Sequence, residues 1–67
     1  MAANNGLYEL LMPATVAKQL AVSERTLKSW RDDGHGPRHV KIGGRIRYRR
    51  VDVEQYIDEN MRASTQG

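Results

Sequence analysis

Six cations fall within residues 38–50 of the 67-residue chain, namely Arg38, Lys41, Arg45, Arg47, Arg49 and Arg50, and no acid interrupts them. Side chains of this type at this density make no or break no bonds; they attract a polyanion, either nucleic acid or an anionic membrane surface. The competing explanation for any charge run is a merely solvated face. A second set, Arg25, Lys28 and Arg31, recurs every third residue and is interleaved with the hydroxyls of Ser23, Thr26 and Ser29. Residues 51–60 then carry Asp52, Glu54, Asp58 and Glu59 with no base. A basic block beside an acidic one gives the molecule two electrostatic faces, a more informative property than its net charge of +3.

Bond-making chemistry has less support. His35 and His39 are four positions apart, but Gly36 and Pro37 between them bar the helix that would turn both rings to one metal, and no third ligand is apparent. The chain has no cysteine, hence no disulfide framework and no thiolate zinc site. No nucleophile can be matched with a base and an orienting partner, and so short a chain has little room for a formed pocket. No metal, cofactor or catalytic residue is therefore expected. Residues 1–6 lack the apolar core of a signal peptide, and no apolar run approaches the roughly 18 residues of a membrane span. A cytoplasmic protein with no membrane partner is the expectation.

The cations must be held by short elements. In "LYELLMPATVAKQLAV", Pro13 suits the first position of a helix, and Val16, Ala17 and Leu20 share one face. Leu10 and Leu11 lead in and should pack on that face. Met12 stands where a capping Ser, Thr or Asp would be better. In "AVSERTLKSWRDDG", Ser23 caps a second helix, Val22 and Leu27 can form a hydrophobic staple across the cap, Leu27 and Trp30 make the apolar stripe, and Gly34 stops the helix. Trp30 is read as packing. The short connection around residues 21–23 makes the pair a helix-turn-helix.

"HVKI" and "RIRY", separated by Gly43-Gly44, read as a hairpin. A two-residue loop would pair Ile42 with Arg45 and Val40 with Arg47. A three-residue loop would pair Ile42 with Ile46 and Val40 with Tyr48, gathering the apolar residues on one face and turning Lys41 and Arg47 to the other. Because register tends to follow the hydrophobic pattern, the three-residue loop is expected. Then "VDVEQYIDENM" forms a third helix with Val53, Ile57 and Met61 in a stripe, Tyr56 beside it and an acidic outer face. Residues 1–6 and 62–67 should be flexible, leaving one domain over 7–61.

Helix, turn, helix, basic hairpin, helix is the order of a winged helix-turn-helix, mainly α with a small β-hairpin. In that arrangement the second helix enters the major groove of double-stranded DNA and the hairpin is a wing that meets the minor groove or the backbone. Arg25 can pair with guanine and Thr26 can meet a thymine methyl or a phosphate. Lys28 and Arg31 suit phosphates, Ser23 and Ser29 offer hydroxyls, and Arg38, Lys41, Arg45 and Arg47 with Gly43 and Gly44 form the wing's contact set.

Residues 10–57 resemble the excisionase-type, MerR-like winged-helix family of bacteria and phages. The resemblance is carried by Pro13 and Ala17, by "VSERTLKSW", by "GHGPRHVKIGGRIRY" and by "VDVEQYI", and among members it is greatest to phage excisionases, notably those of mycobacteriophages. It implies helix contacts at Arg25, Thr26, Lys28 and Ser29, and wing contacts at Arg45 and Arg47 with the Gly43-Gly44 tip. Met12 departs from the Ser or Thr usual there, which removes a capping hydroxyl. Excisionases of the family bind adjacent sites cooperatively, bend DNA and turn a tyrosine integrase from integration towards excision. The resemblance therefore implies neighbouring copies of the chain and an integrase as partners. A small transcriptional regulator of MerR or phage-repressor type is the alternative. Full MerR regulators add a coiled-coil helix and an effector domain, so a lone domain of this length is expected to favour the architectural reading. An interaction module using the acidic helix is a third class.

Overall fold

Two reciprocal caps define the helix-turn-helix. A computed structural model describes residues 9–66, with side chains as far as residue 62; the expected flexible segment at 1–6 lies outside the described residues. Helix α1 spans Pro13–Leu20 and α2 spans Glu24–Asp33. Pro13 opens α1 behind an extended Met12 whose side chain caps nothing. At its other end Ala21 sits at φ 58°, and the N–H groups of Ala21 and Val22 donate to the carbonyls of Lys18 and Ala17 at 3.1 and 3.0 Å. This double closure is the Schellman arrangement, usually built on glycine because a Cβ is strained in the left-handed region. Ser23 caps α2 as expected, accepting from the Thr26 N–H at 3.0 Å. Gly34 and His35 repeat the Schellman closure on Arg31 and Trp30.

The remaining elements are β1 (Leu10–Leu11), β2 (Val40–Ile42), β3 (Arg45–Arg49) and α3 (Arg50–Gln66). The strands form an antiparallel sheet in the order β1-β3-β2. Leu10 and Leu11 were expected to lead into α1 and pack on its apolar face. Leu11 does pack against the core and Leu10 is exposed, and the two form an edge strand, Leu11 opposite Tyr48 and Leu10 opposite Arg49. Proline disfavours helical backbone in the residue before it, so the chain ahead of Pro13 enters extended.

The hairpin register differs from expectation. Val40 pairs with Arg47, Lys41 with Ile46 and Ile42 with Arg45, so the loop is the two-residue Gly43-Gly44. Both glycines are left-handed, φ 59° and 80°. A two-residue turn with both residues at positive φ has the backbone twist that flanking strands require. That turn geometry prevails over apolar pairing because only one face of the sheet is covered by helices. Alternate residues lie on opposite faces and paired residues on the same one. Ile46 and Tyr48 therefore face the helices, while Val40 and Ile42 lie on the outer face with Arg45 and Arg47. Ile42 remains 53% exposed.

The core is small: Val16 and Ala17 of α1, Leu27 of α2, Tyr48 of β3 and Val53 of α3, with Leu11, Leu20, Val22, Trp30 and Ile46 around it. Val22 and Leu27 stand in the positions of the expected staple. Helix α3 contributes less than its stripe suggested. Val53 is buried, but Ile57 is exposed and Met61 is 59% exposed. The helix leaves the core after about one turn beyond Val53 and continues to Gln66 through residues with neither glycine nor proline to stop it. Trp30 packs against Tyr56, ring centroids 6.1 Å apart. Gly36, at φ 81°, passes directly beneath the indole, where a Cβ would come within 2.9 Å of Trp30 Cε3.

Candidate nucleic-acid interface

Helix α2 buries Leu27 and turns Arg25, Lys28, Ser29 and Asp32 outward. These residues recur at three- and four-residue intervals, which places them along one exposed side of the helix. Arg25 makes no ion pair among the described residues. Lys28 Nζ reaches Asp32 Oδ2 at 3.0 Å, one turn along, with both side chains well exposed. An exposed pair of this kind is weak and exchanges readily for a stronger anion. Ser23 Oγ accepts from the Thr26 N–H and donates to Thr26 Oγ1, each at 3.0 Å. The two hydroxyls therefore serve the cap first, and Thr26, half-buried, offers its methyl and one remaining proton.

Arg31 occupies the boundary of this side. Its i−4 neighbour is the buried Leu27 and its i−3 neighbour the exposed Lys28. Its Nη1 donates to the Tyr48 hydroxyl at 2.8 Å, and its guanidinium carbon lies 6.0 Å from the Tyr48 ring centroid. Helix α2 is thus joined directly to β3, the central strand of the sheet.

The observed register redistributes the wing's cations. Lys41, expected beside Arg47, lies on the face of Ile46 and Tyr48, towards the helices; Arg45 and Arg47 lie on the outer face. The tip therefore carries positive charge on both sides of a Gly43-Gly44 turn that has open space around it. A probe entering a groove meets a phosphate strand on each side, and a two-sided cation set matches that geometry. Arg47 is partly folded back, its Nη1 donating to the Ile46 carbonyl at 2.7 Å. Arg38 is exposed at the base of the hairpin, close enough to Asp52 for its charge to be felt there.

Arg49 and Arg50 belong to a different part of the molecule. Arg49 Nε and Nη2 donate to the two oxygens of Asp52 at 2.7 and 2.9 Å. Asp52 is only 6% exposed. The hydrogen bonds from Arg49, assisted by its charge and that of Arg38, hold the Asp52 carboxyl below the usual carboxylate range against the opposing effect of burial. Arg50 lies between Glu9 at 2.9 Å and Glu54 at 3.0 Å, and these hydrogen bonds raise its pKa further. Its backbone N–H also donates to the Glu9 carbonyl. The wing contact set read from the sequence stops at Arg47, and the acids at i+3 and i+4 of these two arginines are a readable signal for that boundary. The Arg31–Tyr48 bond spans 17 positions and has no local signal.

His39 stacks at a tilt near Tyr48, ring centroids 6.0 Å apart, and the His35 N–H closes the end of α2. Among the described residues, no helix is long and apolar enough to cross a membrane.

Residues 10–61 match a protein family described as a helix-turn-helix domain. No curated protein and no solved structure matches the chain.

Proposed function

The chain belongs to the helix-turn-helix domain family, whose members bind DNA, and on that premise we propose that it is an architectural factor of phage excisionase type. In this reading α2 enters the major groove with Arg25 reading base edges, Lys28 and Arg31 hold phosphates, and Ser23, Thr26 and Ser29 lie against the backbone or a thymine methyl. The wing places Arg45 and Arg47 on one side of the Gly43-Gly44 tip and Lys41 on the other, with Arg38 at its base. The observation that supports the reading is this two-sided wing linked to α2 by the Arg31–Tyr48 hydrogen bond, an arrangement that suits two probes in adjacent grooves.

A single such domain neutralises roughly 4–8 phosphates and binds weakly by itself at physiological salt. Neighbouring copies supply the remainder. Two exposed apolar regions support contact between copies: Leu10 and Ile42, with the half-buried Val40 beside them, on the outer, basic face of the sheet, and Ile57 and Met61 on the acidic α3. Their charges are opposite in sign. Successive copies on adjacent sites bend the DNA, and the assembly recruits a tyrosine integrase to excisive recombination in the cytoplasm of a bacterial host.

A circular-permutation gel shift with DNA from beside the protein's own gene tests this. Stepwise higher complexes whose mobility varies with site position are expected. A single complex of constant mobility would replace the architectural reading with that of a transcriptional regulator.

A further inference from the structure

Tyr48 carries a hydroxyl that packing alone does not explain. The residue is fully buried in the core, where a phenylalanine ring would fill the same space. A buried hydroxyl requires a partner, and the partner here is a half-exposed arginine at the border of the α2 surface. The ring also lies against that guanidinium at 6.0 Å. A guanidinium has five N–H donors in a planar fork. Fixing one of them on a rigid core atom orients the rest.

The direction of that orientation follows from the fold. A helix in the major groove and a hairpin in the neighbouring minor groove must straddle the phosphate strand between them. Arg31 is the side chain that links α2 to β3, which sets it at the border between the helix surface and the hairpin. We propose that Tyr48 is a positioning residue that holds the Arg31 guanidinium over the phosphate ridge between the two grooves. The core thereby sets the angle of a DNA contact without touching DNA. This inference rests on the DNA-binding reading.

The test uses the full chain and a labelled 20-base-pair mixed-sequence duplex, with affinity measured by anisotropy over a range of salt. Arg31→Ala should lower the slope of log affinity against log salt by about 0.9, the value for one lost phosphate contact. Tyr48→Phe keeps the ring and should weaken binding about fivefold, the equivalent of one hydrogen bond. In the Arg31→Ala background, Tyr48→Phe should have no further effect on affinity, although it still changes the melting temperature. Arg31→Lys keeps the charge and loses the fork, so it should retain most of the slope but lose the dependence on Tyr48.

Additive losses from the two substitutions, or an unchanged slope in Arg31→Ala, would overturn the proposal even if wild type binds. Should Tyr48→Phe fail to fold, Arg31→Lys decides it: an affinity equal to wild type shows that no held fork is needed and overturns the proposal, a loss of about fivefold at a retained slope supports it, and an Arg31→Ala slope equal to wild type removes Arg31 from the phosphates. A wild-type chain that does not bind the duplex overturns the DNA-binding reading and this inference together.

Discussion

Arg45 and Arg47 stand in the same strand as Arg49, with Arg50 directly after it, and the surroundings of the two pairs differ. Arg45 and Arg47 project from the outer face of a hairpin beside Ile42 and Val40, and neither forms an ion pair among the described residues. Arg49 grips a nearly buried Asp52, and Arg50 is shared between Glu9 and Glu54. One run of charge thus divides into a part with no ion pair among the described residues and a part that joins β3 to α3. The divide is set by acids placed in the first turns of the following helix and by Glu9, immediately before β1. A count of cations overstates the interface unless their internal partners are subtracted.

The largest effect expected from breaking this division is at Asp52. Asp52→Asn leaves the Arg49 fork facing a neutral amide in a nearly closed site. That should lower stability by about 2–3 kcal/mol, the range for charged hydrogen bonds and partly buried pairs, and the melting temperature by roughly 10–20 °C. The folded-state pKa of Asp52 lies below its unfolded value. Its contribution is therefore complete above the unfolded pKa of about 3.9 and is lost as pH falls through the lower folded value. Melting curves of wild type and Asp52→Asn should differ most near neutrality and converge below about pH 4. Parallel curves at all pH values would remove Asp52 from the joint.

The wing should respond in the opposite way. Arg45→Ala and Arg47→Ala together should leave the melting temperature near wild type. They should weaken binding to duplexes of any sequence, on the order of 10–100-fold at 0.1 M salt, and lower the salt slope by about 2. A double variant that binds normally but melts early would show these arginines to be structural, like Arg49.

Which parts of this were legible in the sequence follows from the range of the forces involved. Caps are local, so Ser23, Gly34 and Pro13 announced both helices, and Val22 with Leu27 announced the staple. The Gly43-Gly44 turn was visible, but its register required a choice between turn twist and apolar pairing. Pairing was the wrong guide in a sheet covered on one face, where Val40 and Ile42 need not be buried. The same overestimate of burial placed Ile57 and Met61 in the core. Chains of this size leave a large share of apolar surface in water. Strand β1 had a signal in the extended residue that Pro13 imposes, although its partner β3 lies far along the chain. The Arg31–Tyr48 bond depends on where α2 is placed relative to the sheet and was illegible. Of the proposed contact residues, those on α2 occupy the helix positions read from spacing, while Lys41 changed face with the register.

The smallest effect should come from Arg50, and it sharpens the comparison most. Its two ion pairs are well exposed, one of them within a single turn of α3. Exposed pairs gain little, because water screens them and two long side chains must be ordered to make them. Arg50→Ala should therefore melt close to wild type, and any small difference at low salt should vanish in 1 M salt. It should also bind DNA with an unchanged salt slope, since Glu9 and Glu54 already pair with the guanidinium and repel a phosphate. If Arg50→Ala lowered the slope as far as a wing substitution does, the boundary drawn after Arg47 would be misplaced, and the interface would extend around the end of β3 onto the start of α3.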